Sequence, residues 1–111
     1  MKKENPLEKT IQKNCQKYLD KRSIFWYHPS SMHAKGTPDL LICYRGRFVG
    51  VELKRPKGGV ISKLQLKKME KIEENYGWAT VCRSVDELDR YLKLIDTVLD
   101  KEEDDKASQS N

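Results

Sequence analysis

Residues 36–54, GTPDLLICYRGRFVGVELK, constrain the fold of this chain more than any other stretch. Two runs rich in aliphatic, β-branched and aromatic residues, DLLICY and RFVGVELK, flank Arg45-Gly46 and read as antiparallel strands joined by a turn. With Arg45 and Gly46 as a two-residue loop, Tyr44 pairs with Arg47 and, counting outward, Asp39 faces Glu52. Residues opposed in this way have Cα atoms about 4.5–5.5 Å apart. Lys54, two residues beyond Glu52, points to the same face. Two facing carboxylates repel unless a cation sits between them, and Mg²⁺ or Mn²⁺ suits that position because both prefer oxygen ligands. A four-residue loop from Tyr44 to Arg47 keeps this register. A three-residue loop with a bulge shifts it by one and sends Asp39 and Glu52 to opposite faces. Arg-Gly is not the favoured Asn-Gly pair of a two-residue hairpin loop, so the three loops stay open at this point.

The rest of the chain gives this hairpin a small, basic setting. A length of 111 residues allows one domain with a modest core. The formal net charge is +5, but residues 100–111 hold five acids against two lysines, so residues 1–99 carry +8. That asymmetry predicts a domain over residues 1–99 facing a polyanion and an acidic, disordered tail over 100–111. Cys15, Cys43 and Cys82 stand far apart without C-x-x-C spacing, which implies reduced thiols. The first residues, MKKENPLEK, have no apolar run of a signal peptide, and no segment reaches spanning length; the expectation is a cytoplasmic protein without a membrane partner.

Periodicity and punctuation supply the remaining elements. Asn5, Pro6 and Glu8 predict a capped helix start, with a stripe of Ile11, Cys15, Tyr18 and Leu19 running to about Lys21. A strand is expected over 24–28 and a polar loop up to the hairpin. Ser62 and Gln65 form a capping-box pair at the head of a second helix reaching about Tyr76, with Gln65, Met69, Ile72 and Tyr76 on one stripe. A short strand over 79–83 precedes a third helix, opened by Ser84 and Glu87 and striped by Val85, Leu88, Leu92, Ile95 and Leu99. The expected order is α-β-β-β-α-β-α, an α/β fold with a mixed sheet flanked by helices. Gly50, mid-strand, predicts close approach of another backbone or a bulge.

This order, with Pro38-Asp39 on one strand and Glu52-x-Lys54 on the next, resembles the PD-(D/E)xK nuclease superfamily with its restriction-endonuclease-like core. Within it the pieces Gly36-Thr37-Pro38-Asp39-Leu40, Gly46 to Lys54, and Ser62-Lys63-Leu64-Gln65 resemble a stand-alone VRR-NUC domain, the virus-type replication-repair nuclease family. The resemblance spans roughly residues 5–95. It implies Mg²⁺- or Mn²⁺-dependent endonucleolytic cleavage of structured DNA, with Asp39, Glu52 and Lys54 as catalytic residues and Gln65 and Glu8 as accessory positions. It also implies a metal held by Asp39, Glu52 and the Leu53 carbonyl, with Glu8 contributing directly or through water. Lys35, Arg45, Arg47, Arg55, Lys57 and Lys63 surround the motif in sequence and form a candidate phosphate-contacting rim, with His33 as a further contact. Four-way junctions cut by a homodimer are the expected substrate and assembly, because paired incision needs two sites in fixed relation. A non-catalytic DNA-binding module of the same fold, a flap-directed nuclease and an RNA-directed nuclease are the alternatives.

Overall fold

The computed structural model describes residues 4–30 and 35–109. Its organising unit is the hairpin of β2 (Leu40–Tyr44) and β3 (Arg47–Leu53). Arg45 and Gly46 both adopt positive φ, 50° and 78°, the signature of a two-residue type I′ turn. Tyr44 therefore pairs with Arg47 and Leu40 with Val51, the register that brings Asp39 opposite Glu52. The remaining elements are α1 (Glu8–Lys21), β1 (Phe25–Tyr27), α2 (Lys63–Glu74), β4 (Trp78–Cys82) and α3 (Val85–Gln109). The sheet runs β1-β2-β3-β4, antiparallel except for the parallel β3–β4 pair, which α2 connects.

Strand alternation divides the sheet into two unlike faces. Leu40, Ile42 and Tyr44 of β2 and Val49, Val51 and Leu53 of β3 point to one side. There they meet the apolar stripes of α1 (Ile11, Cys15, Leu19) and α3 (Leu88, Leu92, Ile95, Leu99), and all of these side chains are buried. The other face carries Asp39, Leu41 and Cys43 from β2 and its approach, and Phe48, Gly50 and Glu52 from β3. Among the described residues α2 is the helix that packs there, over β3 and β4, and none of its residues is fully buried. Gly50 is what lets α2 come close. A Cβ at that position would lie 2.8 Å from Ile72 Cδ1 and 3.0 Å from Pro38 Cγ, so side chains rather than a second backbone fill the space, and the strand has no bulge.

Four local expectations are corrected. Asn5 does not cap α1: Leu7 is the N-cap residue without a side-chain cap bond, and the Asn5 amide instead holds the Lys57 backbone. The reason is that the loop after β3 offers Asn5 both a donor and an acceptor, N–H to Oδ1 at 3.0 Å and Nδ2 to C=O at 3.3 Å. Tyr76 does not join the α2 stripe; it takes φ 66° just past the helix end and stands 92% exposed, while the Gly77 N–H closes on Ile72 C=O at 2.9 Å. The box at α3 is offset, since Glu87 Oε1 accepts from the Arg83 N–H rather than from Ser84. Residues 100–109 are helical rather than disordered, as the last part of α3. Asp96, Asp100 and Glu103 lie 3.0, 2.9 and 3.3 Å from the Arg45 guanidinium, and Glu102 lies 3.9 Å from Arg47. Three of the five acids in that run, Asp100, Glu102 and Glu103, thus have partners on the hairpin turn. Among the described residues no helix is long and apolar enough to cross a membrane.

Candidate metal-binding site

Asp39 enters β2 directly after Pro38, which has no N–H to give a ladder, and its side chain reaches across the hairpin. Its Oδ2 accepts the Leu53 N–H at 2.8 Å, so β3 itself fixes the carboxylate. Glu52 is the one buried polar or charged residue of the described core, 2% exposed. Its Oε1 accepts the Gln65 Nε2–H at 2.9 Å and lies 3.9 Å from Lys54 Nζ, whereas Oε2 is buried with no hydrogen-bond partner among the described residues. Gln65 is held from the other side. Its Oε1 accepts the Ser62 N–H at 2.8 Å and its own N–H bonds Ser62 Oγ at 3.1 Å, closing the capping box. With the amide oxygen committed to the cap, the NH₂ group points at Glu52. Gln65 contacts Glu52 rather than Lys54.

Burial pushes the Glu52 carboxyl up to about 8, reinforced by the adjacent Asp39 carboxyl and by the charge of Glu8, and the nearby Lys54 ammonium offsets only part of this. An acid so placed is costly to ionise without a cation. The unpartnered Oε2 beside a second carboxylate is a donor set that a hard divalent ion would satisfy. Among the described residues no group of three His, Cys, Asp or Glu side chains converges as a metal shell. Glu8, the first residue of α1, is therefore not drawn into the pair, although Glu52 feels its charge. A cation here would take two carboxylates and complete its shell with backbone, water or substrate oxygens, the habit of Mg²⁺.

The cleft over this pair has a volume of about 240 Å³ and is bounded by His28, Lys35, Pro38, Asp39, Glu52 and Gln65. His28 was not among the site residues expected from the sequence; its Nδ1 lies 2.7 Å from the Asp39 carbonyl oxygen. No spacing signal pointed to it, because the contact depends on where β1 ends against β2. The basic rim divides. Lys35 lines the cleft, and Lys57 and Lys63 are exposed nearby in the chain. Arg45 and Arg47 are at the opposite end of the hairpin, paired with α3 acids, so they do not serve the cleft. Arg55 is turned inward: it donates to the Asn5 carbonyl at 3.0 Å, and its own carbonyl accepts from Arg83 at 2.6 Å. His33 lies outside the described residues.

No protein-family model and no curated protein matches the sequence. Among solved structures, one described as "VRR_NUC domain" superposes with a TM-score of 0.66 at 23% identity, covering 78% of this chain and 94% of its own. The chain has the VRR-NUC fold. A second structure, "VRR_NUC domain protein", superposes with a TM-score of 0.64 at 18% identity, over 86% of this chain and 89% of its own. The VRR-NUC fold is the α-β-β-β-α-β-α arrangement expected from the sequence, and here it carries an acid pair, a lysine and a glutamine at the hairpin's open end.

Proposed function

We propose that this chain is a VRR-NUC family nuclease that hydrolyses phosphodiester bonds in branched DNA with Mg²⁺ or Mn²⁺ as cofactor. The observation that carries this reading is the buried Glu52, with one oxygen unpartnered, facing Asp39 and flanked by Lys54 on the same sheet face. Asp39, Glu52 and the Leu53 carbonyl would hold the ion, and Glu8 would act through water. The ion, when bound, lowers the pKa of a water and neutralises charge on the scissile phosphate. Asp39 is kept in place by the Leu53 N–H, and Glu52 is oriented by Gln65. Lys54, its side chain only 11% exposed, is preorganised to steady charge building on the phosphate or to orient the attacking water. Lys35, Lys57 and Lys63 draw the polyanion to an acidic centre.

Four-way junctions are the leading substrate and a homodimer the active form, since two incisions need two sites. A panel of duplex, flap, Y-shaped and four-way DNA with Mg²⁺, Mn²⁺ or EDTA tests the chemistry, and solution mass at micromolar concentration tests the assembly. Metal-dependent cleavage that Lys54→Ala lowers about 10²–10³-fold is expected. Binding without hydrolysis in any metal would make the chain a non-catalytic DNA-binding module instead. A monomer that cuts flaps well and junctions poorly would remove the junction and dimer parts alone.

A further inference from the structure

The sheet face that bears the acid pair continues past it as an open aromatic surface. Phe25 pairs with Cys43 and Cys43 with Phe48, so one cross-strand row reads Phe25–Cys43–Phe48; the next reads Tyr27–Leu41–Gly50. The following row on the same face is Asp39 and Glu52. With neighbouring strands about 4.8 Å apart and about 3.3 Å per residue along a strand, Phe25 and Phe48 stand roughly 10 Å apart and Phe48 roughly 13 Å from Glu52. Phe25, Tyr27 and Phe48 are 69%, 56% and 50% exposed. Among the described residues only α2 packs on this face, over β3 and β4, and that leaves β1 and β2 open.

Two grooves follow these rows, and the first of them borders the cleft. One, of about 390 Å³, has an apolar floor of Pro38, Leu41, Phe48 and Ile72 with Lys68 and Lys71 on its rim, and shares Thr37 and Pro38 with the cleft. The other, of about 380 Å³, runs from Phe48 and Leu41 to Phe25 and Tyr27. Lys68 has no ion pair among the described residues, and the Lys71 ammonium has only a loose, exposed contact with Glu74 at 3.9 Å. Flat rings at intervals, beside a groove edged by lysines that meets the cleft at Thr37 and Pro38, match the two requirements of an unpaired nucleic acid strand: faces for the bases and cations for the phosphates.

We infer that Phe25, Tyr27 and Phe48, with Lys68 and Lys71, form a stacking platform for a short unpaired DNA strand leaving the branch point beside the cut. This rests on the nuclease reading; a fully paired four-way junction offers no such strand, so the platform serves the flapped and Y-shaped branches of the alternative substrate. The lysines favour a polyanion over a second copy of the chain, which would bring its own Lys68 and Lys71 to the same face. A stacked base also needs a ring at each position, whereas a docked protein surface is satisfied by any apolar side chain.

The test is binding of a fluorescein-labelled oligothymidine, its abasic counterpart and a duplex of equal length, by anisotropy in EDTA, so that it does not depend on cleavage. Phe25→Leu, Tyr27→Leu and Phe48→Leu keep apolar surface at half-exposed positions and remove the ring. Each is expected to weaken oligothymidine binding at least about fivefold and to leave duplex binding within about twofold. The abasic strand should bind the parent protein as weakly as oligothymidine binds the variants. Equal binding of abasic and base-bearing strands overturns the inference. So does a set of variants that bind the strand normally but lose a dimer in solution mass, which would assign the face to self-association. If ring-dependent binding holds while no metal supports cleavage, the platform stands and the nuclease reading falls; cleavage with ring-independent binding does the reverse.

Discussion

At the scale of single residues, Glu52 carries the most consequence. Its carboxyl titrates near 8 in the fold against an ordinary 4.5. Between those values the folded chain binds a proton that the unfolded chain has released, so stability falls as pH rises through that window. In EDTA the melting temperature should therefore decline from about pH 5 to about pH 8, and Mg²⁺ should restore it at the upper end. Asp39→Asn keeps an oxygen for the Leu53 N–H and removes the facing charge, so in EDTA at pH 8 it should leave melting unchanged or raise it, with cleavage abolished. A clear drop would mean that the two carboxylates do not repel. Cleavage at fixed low Mg²⁺ should rise from pH 6 to pH 8 as Glu52 loses its proton, with the midpoint moving down as Mg²⁺ increases. Gln65 allows a cleaner separation of roles. Gln65→Ala removes both the cap and the bond to Glu52, and should lower activity about 10–100-fold. Ser62→Ala weakens the cap by about 1 kcal/mol and should leave activity near the parent level. Equal losses in the two would reduce Gln65 to a capping residue.

Among the elements, the hairpin was the most legible in sequence and the long helix the least. Runs rich in aliphatic, β-branched and aromatic residues marked both strands, but the turn was ambiguous because Arg45 is a poor residue for φ 50° by local preference. What holds Arg45 there is tertiary: its guanidinium meets Asp96, Asp100 and Glu103 of α3. The same contacts account for the misread tail, whose acids have no visible partner until the sheet brings the turn beneath them. In the candidate site, the meeting of Asp39, Glu52, Lys54 and Gln65 was readable because each belongs to the hairpin or to a cap with a fixed offset. His28 and the inward turn of Arg55 were not, since both depend on packing between segments remote in sequence. Arg45→Asn separates the two influences on the turn. Asn-Gly suits the type I′ geometry better, yet the clamp on α3 is lost. Hydrogen exchange over residues 100–109 should accelerate while β2 and β3 stay protected and cleavage is unchanged. Unaltered exchange would show that the helix end holds without the arginine.

For the whole molecule, the end of the hairpin that carries the acid pair is assembled from segments far apart along the chain. Asn5 and Lys57 bond across 52 residues, and Arg83 fixes the carbonyls of Arg55 and Gly59 across 28 and 24. The loop that follows Lys54 is thus tied at once to the segment before α1 and to the end of β4. These tethers have a kinetic meaning. Contacts that close long stretches of chain are costly to form early, so they belong to the native side of the folding barrier, after the β2–β3 hairpin and its helices have met. Asn5→Ala, losing about 1 kcal/mol, should speed unfolding about fivefold and leave the refolding rate almost unchanged in a denaturant-jump experiment. A slowed refolding arm would place the tether in the nucleus instead. On this ordering the chain finishes folding by closing the loop that follows Lys54, so a half-folded molecule would keep its hairpin but leave that loop untethered.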